Sequence, residues 1–269
     1  MRINTYSIIK PAKQLISGVY KYSGAKTLHI RVDEKYVGDS IFCPVLLFHS
    51  VGVCGFAANM FDQLVDMLTS EFRLLTIEAV YHGIKNGTLP ESPLVITFDD
   101  GYSDNYEIAM PILDKHNVPA TIFVATDYID GEFCGLPMMN KSQIREISER
   151  GIEIGAHTAS HPNLKRLDKN LKKEELATSK EKLEIITRRA IESLAYPKGY
   201  YNEEVKEIAQ EVGFGIAVTT IHDYHINPNR LLECPRMCVN SYDSLQNILG
   251  KLKGDENWIK IVDKVLSRY

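Results

Sequence analysis

From Pro44 onward the sequence repeats one arrangement: a short apolar run, a polar residue at or just past its end, then an amphipathic stretch. The runs are Val45–Phe48 before His49, Leu94–Phe98 before Asp99-Asp100-Gly101, Ala120–Val124, and Gly151–Gly155 before His157. Three more follow: Ser193–Tyr196 before Pro197-Lys198-Gly199, Phe214–Val218 before Thr219-Thr220, and Leu231–Val239 around Pro235-Arg236. Short apolar runs bounded in this way read as buried strands. The stretches between them, Ala57–Leu68, Asn105–His116, Lys141–Glu149, Leu171–Arg188 and Glu203–Val212, read as helices. Asp104 and Asn202 are predicted N-caps, and Gly151 and Gly213 sit where a helix wants a left-handed residue. The alternation predicts an α/β fold with a mostly parallel sheet, and about seven strands predict a barrel or partial barrel. The C-terminal ends of parallel barrel strands meet on one face. His49, Asp99, Asp100, His157, Lys198 and Arg236 all fall at or just past such an end, so the fold would gather them.

The gathered residues have a definite chemistry. A divalent ion that activates water needs a few fixed protein ligands and an open position. His157 and His161 are spaced H-x-x-x-H, which on a helix would share a face. Pro162 disfavours helical geometry at His161, so Thr158–His161 is predicted to be a loop or tight turn that brings the imidazoles together. Asp99 and Asp100 are adjacent at a strand end, where neighbouring side chains alternate. One carboxylate can then bind metal while the other faces the attacking water. Two adjacent negative charges are costly unless a cation neutralises them, and Gly101 frees the backbone to turn. Asp-Asp-Gly alone is commonly a surface turn, and His-x-x-x-His-Pro alone a loop pair. Both, placed after buried strands, point to a metal-dependent hydrolase.

Bulk properties exclude some other classes. The 31 basic and 35 acidic residues give a formal net charge of -4, which argues against a nucleic-acid binder; Lys165–Lys173 reads as a solvated helix face. Five cysteines, odd in number and sparse, do not form a disulfide framework. Cys234 and Cys238 read as core or edge residues rather than zinc ligands. Lys10, Lys13 and Lys21 interrupt the N-terminal region, which lacks the apolar run of a signal peptide. No stretch approaches the roughly 20 apolar residues that span a bilayer. The expectation is a cytoplasmic protein, and the basic, apolar segment Ile8–Tyr22 is compatible with peripheral contact at the inner face of the membrane.

The segments LVITFDDGYSDNYEIAMPIL, GIEIGAHTASHPNL and LAYPKGYYNEEV resemble the polysaccharide deacetylases of carbohydrate esterase family four. LLFHSVG, NVPATIFV, VGFGIAVTT and CPRMCV extend the resemblance from about Pro44 to Val239, nearest to the poly-N-acetylglucosamine deacetylase-like subgroup. The resemblance implies a distorted (β/α) barrel, a divalent ion of the Zn2+ type, and removal of acetyl groups from N-acetylated sugars. It assigns Asp99 as general base, Asp100, His157 and His161 as metal ligands, and the backbone N–H of Lys198 as oxyanion donor. His49 is the expected general acid. Where many members carry an arginine two residues before the third motif's proline, this chain has Ala195; Arg236 is the expected substitute in orienting Asp99.

Residues 1–40 form a lead-in with a short extended piece at Thr27–Val32, 41–240 the catalytic domain, and 241–269 a helical tail. One alternative is a catalytically weak or inactive relative that binds acetylated glycan, since the motif arginine is missing. A glycosidase on a similar barrel would need carboxylates set apart across a cleft, which the adjacent Asp99-Asp100 pair does not supply. The expected substrate is an acetylated amino sugar, in a glycan or in a lipid- or nucleotide-linked precursor. Tyr102, Tyr106, Tyr200 and Tyr201 are candidates to stack on it, and His222 and His225 are expected in a solvated loop.

Overall fold

The structure, a computed structural model, describes residues 40–52 and 55–252. The chain divides into two compact units, Val32–Ser241 and a second made of Met1–Arg31 with Tyr242–Tyr269. The Thr27–Val32 piece and the Ile8–Tyr22 segment lie outside the described residues, as does the tail beyond residue 252. No helix among the described residues is long and apolar enough to cross a membrane.

The first half of the larger unit runs β1 (Ile41–Phe42), β2 (Val45–Phe48), α1 (Ala58–Thr69), β3 (Arg73–Leu75), α2 (Ile77–Asn86) and β4 (Pro93–Phe98). After a π-type turn at Asn105–Ala109 come α3 (Met110–His116), β5 (Thr121–Val124), and a hairpin of β6 (Glu132–Phe133) and β7 (Leu136–Pro137). Then follow α4 (Lys141–Glu149), β8 (Glu153–Ala156), α5 (Lys169–Thr187), β9 (Ser193–Ala195), α6 (Glu203–Val212), β10 (Ile216–Val218), β11 (His225–Ile226) and β12 (Met237–Cys238). The helix α7 (Leu245–Lys251) falls in the second unit.

Seven strands form a curled parallel sheet in the order β10-β9-β8-β5-β4-β2-β12, with β3 added beside the first half of β4. Cys234 makes a parallel bridge to Val218 on one edge, while Met237 and Cys238 pair with Leu46 and Leu47 on the other. One short segment therefore ties both edges. The expected barrel of about seven parallel strands is the architecture found. All residues of β2 and β4 are buried, as befits parallel strands covered on both faces. Phe48, Phe61 and Phe98 meet with ring centroids 5.4–5.7 Å apart, each burial contributing about 1.5–3 kcal/mol.

Local signals explain most boundaries. Asn140 and Gln143 form a reciprocal capping box at the start of α4, and Asn202 caps α6, which ends on left-handed Gly213. Asp104 is not a cap: it is itself helical and makes no capping bond. Its carboxylate instead accepts from the Ser50 hydroxyl and from the Asn105 amide. Leu231–Val239 is not one long strand. Pro235 lacks an N–H, and the chain there crosses from one sheet edge to the other, so only two residues pair in β12. The lysine-rich stretch is not wholly solvated, since Lys172 is buried and paired with Glu204. His225 pairs with Phe42 in the small β1–β11 sheet, so the expected solvated loop is anchored. The helix α2 was not expected, although Thr76 and Gly87 cap it in the usual way.

Candidate active site

The two aspartates part company because the strand stops. Asp99 still donates its N–H to the Phe48 carbonyl at 2.9 Å, but Asp100 has φ 74° and Gly101 φ 91°. Alternation along a strand, the expected cause of their divergence, does not apply: a left-handed turn separates them. A left-handed aspartate costs roughly 1–2 kcal/mol, and such strain gathers at functional sites. Gly101 has a second reason to be glycine, as a Cβ there would lie 3.1 Å from Val124.

The turn delivers Asp100 to the two histidines. Its Oδ1 lies 3.5 Å from Nε2 of His157 and 3.5 Å from Nε2 of His161. Thr158 and His161 both have positive φ, which makes the predicted tight turn between the imidazoles. His157 Nδ1 is 2.8 Å from the Ala195 carbonyl, so Nδ1 carries the proton and Nε2 presents its lone pair to the cluster. Burial first, then the neighbouring His157, hold His161 down at about 4, so its imidazole is neutral at physiological pH. Asp100 Oδ1 is buried and has no hydrogen-bond partner, an uncompensated acceptor of the kind that proteins avoid. A cation would satisfy it, and two imidazole nitrogens with one carboxylate oxygen suit zinc-type ions. The residues present therefore fit the expected metal.

Asp99 stands beside this trio, its Oδ2 4.0 Å from His157 Nε2. Both carboxylate oxygens accept from Arg236, at 2.7 Å each. Arg236 is in turn fixed by donating Nε to the Thr219 carbonyl at 2.9 Å and Nη1 to Thr97 Oγ1 at 3.1 Å. Burial pushes the Asp99 carboxyl up, but Arg236 and then His157 outweigh it and hold the group at about 2. The structure thus brings Arg236, which follows the crossing segment at Cys234, onto the Asp99 carboxylate.

His49 is exposed at the end of β2, and its charge contributes to holding Asp99 down. Its carbonyl accepts from Asn105 Nδ2 at 3.0 Å, tying this strand end to the segment after Gly101. Lys198 sits in a left-handed turn (φ 56°) after β9, with its charge felt at His161. Of the four tyrosines, Tyr102 is only 6% exposed, and burial first, then the Asp100 carboxylate, raise its pKa. Tyr106 bonds Glu146 at 2.7 Å, and Tyr201 stacks on Tyr196 at 4.9 Å. Tyr200 alone of the four is exposed beside the Lys198 turn. Sequence reasoning missed Thr97 and Thr219 behind Arg236, and Phe133, whose ring meets His161.

The described residues contain one other three-donor group, Glu78, His82 and Glu192. Only His82 of the three is exposed, the two glutamates being half-buried, and His82 is accounted for by its 2.8 Å pair with Glu192. A cavity of about 580 Å³ lined by Tyr81, Glu192, Lys206, Phe214 and Arg230 includes none of the residues gathered around Asp99 and Asp100. It lies where β9 and β10 begin, not where they end.

The family model described as polysaccharide deacetylase matches residues 86–217. YxkH of Bacillus subtilis is 35% identical over 130 residues, covering 48% of this chain and 45% of that protein. The chain thus spans less than half the length of this relative. The poly-beta-1,6-N-acetyl-D-glucosamine N-deacetylase of Staphylococcus aureus (strain MRSA252) is 28% identical over 215 residues, covering 73% of this chain and 71% of that one. Among solved structures, the Streptococcus pyogenes deacetylase PplD in complex with acetate superposes with a TM-score of 0.73 at 26% identity, covering 80% of this chain and all of the other. The fold, the site motifs and these matches agree that residues 86–217 carry a polysaccharide deacetylase domain.

Proposed function

We propose that the protein is a metal-dependent hydrolase that removes acetyl groups from the N-acetylated sugars of a glycan or glycan precursor. The observation that carries this reading is the buried, unpartnered Oδ1 of Asp100, equidistant from two imidazole nitrogens and next to an Arg-clamped second carboxylate. Asp100, His157 and His161 would hold a divalent ion of the zinc type. When bound, such an ion polarises the acetyl carbonyl and lowers the pKa of a water.

The chain's own residues supply the rest. Asp99 takes the proton of the attacking water, and Arg236 fixes the direction in which its oxygens point. The backbone N–H of Lys198 stabilises the oxyanion. His49, at the open rim, protonates the departing amine. Water and amide thus become acetate and a free amino sugar. Intact carboxylates and histidines, together with Arg236 on Asp99, leave the inactive-relative reading without support. The Staphylococcus relative's polymer makes a β-1,6-linked N-acetylglucosamine oligomer the first substrate to try, with lipid- and nucleotide-linked acetylated sugars beside it. Tyr200, exposed next to the Lys198 turn, is positioned to stack on a sugar ring.

The test is release of acetate with appearance of free amine, abolished by a chelator and restored by added Zn2+. No release from any of the three substrate types by metal-loaded protein would refute the reading. The cytoplasmic, membrane-peripheral location rests on residues outside the described ones and is tested by fractionation.

A further inference from the structure

The two histidines of the candidate metal site are held in different ways. His157 is fixed from behind by its 2.8 Å bond to the Ala195 carbonyl. The His161 ring has no such backbone acceptor among the described residues. It is met instead by the ring of Phe133, edge-on, with centroids 5.0 Å apart and planes at 62°. Phe133 is backed by Tyr128 at 4.4 Å and faces Tyr102 at 6.4 Å, planes nearly parallel. The Tyr128 hydroxyl returns to the Ser160 carbonyl at 3.2 Å, one residue before His161.

Phe133 belongs to the β6–β7 hairpin, where it pairs with Leu136. The foot of that hairpin is tied to the turn that presents Asp100. Tyr102 bridges Met138, and Met139 donates its N–H to the Gly101 carbonyl at 3.0 Å. One piece of chain therefore braces two of the three donors. His161 needs bracing, because its own backbone is left-handed, with φ 57°, in a conformation non-glycine residues avoid. Metal-bound histidines are ordinarily oriented by a hydrogen bond from the second ring nitrogen. Aromatic packing of fixed geometry can take that place.

We propose that Phe133 is a positioning residue for the metal site, fixing the His161 ring by edge-on packing where its partner His157 is fixed by a hydrogen bond. The proposal rests on the metal reading of Asp100, His157 and His161. It predicts that metal affinity depends on a side chain that cannot itself bind metal.

The experiment titrates metal-free full-length protein with Co2+, following the visible ligand-field bands, and with Zn2+ against a chromophoric chelator. Wild type is expected to bind one equivalent at this site and Asp100→Asn none. Phe133→Ala is expected to bind one equivalent about 10- to 100-fold more weakly, the usual effect of losing an outer-shell support. Its Co2+ bands should shift as the imidazole tilts. Phe133→Tyr keeps the ring and should restore affinity to within about threefold. Phe133→Leu keeps apolar bulk without the ring and decides the matter if the alanine variant does not fold; it should also bind more weakly. Unchanged affinity in Phe133→Leu or in folded Phe133→Ala would overturn the clamp while leaving the metal site standing. A wild-type protein that binds no metal would overturn the site and the clamp together.

Discussion

Replacing Arg236 with methionine removes a fully buried guanidinium that makes four hydrogen bonds, two of them to Asp99. Methionine fills similar volume, so the loss is mainly of charge and donors. Asp99 is only 3% exposed, and stranding one partner of a buried pair costs about 3–5 kcal/mol. A separate figure comes from the carboxyl itself. It is held at about 2 against an ordinary 3.8, which is worth about 2 kcal/mol at neutral pH. That figure is net of burial, which opposes it; without Arg236 only His157 and His49 remain to pull against burial, so the full loss exceeds it. The folded pKa lies below the unfolded one, so this stabilisation is complete above pH 4 or so and disappears as pH falls through about 2. In the variant the Asp99 pKa rises, and the charged carboxylate becomes a burden as pH increases. Urea unfolding of metal-free protein should therefore show the variant about 3–5 kcal/mol less stable at pH 7, with the gap closing toward pH 3. The acid limb of deacetylation should move to higher pH. Equal stability at pH 7 within 1 kcal/mol or so, together with an unmoved acid limb, would refute the argued link between Arg236 and Asp99.

Three further outcomes are expected. His161→Ala should abolish both metal binding and acetate release, and residual chelator-sensitive turnover above about 1% of wild type would count against its role. His49→Ala should leave metal affinity within about twofold while lowering kcat about 10²- to 10⁴-fold, the usual range for a general acid. An undiminished kcat assigns the proton donation elsewhere. Gly199→Ala should lower kcat about 10-fold or more with metal binding intact. Its Cβ would overlap Thr220 Oγ1 at φ 71°, displacing the Lys198 N–H; Lys198→Ala, which keeps that N–H, should be far milder, and the reverse order would point to the ammonium instead.

The strand-to-loop junctions were legible in the sequence because each carries a local signal. Apolar runs ending in polar residues locate β2, β4, β5, β8, β9 and β10, and Asn202 and Gly213 locate α6. Arg236 could be named because the family resemblance implies an arginine where this chain has Ala195, although only the crossing segment through Cys234 and Met237 carries it to Asp99. What could not be read is set by contact between distant segments. The short β3 has its partner in the first half of β4. Tyr102 looks like a surface tyrosine until the hairpin foot at Met138 and Met139 covers it. Phe133 sits in a turn-rich stretch with no helical or strand period to mark it, and its meeting with His161 joins segments 28 residues apart, as the sequence numbering shows.

The clamp on Asp99 also says something about how the two halves of the site depend on each other. A carboxylate held at about 2 stays ionised at every physiological pH, so it is always available to accept a proton. It is for the same reason a weak base, far from the pKa near working pH that suits a general base best. It cannot drive deprotonation of ordinary water, whose pKa is about 16. Asp99 becomes competent only if the water beside it is made more acidic, which a divalent ion held by the Asp100–His157–His161 trio, 4.0 Å away at His157, would do. Weakening the clamp without removing it should expose the compromise. Arg236→Lys keeps a positive charge but cannot bond both oxygens at once. Asp99 should then be somewhat more basic and less well oriented, giving an acid limb displaced upward and a lower plateau. A plateau unchanged with the limb displaced would mean that Arg236 sets only the charge of Asp99 and not its direction.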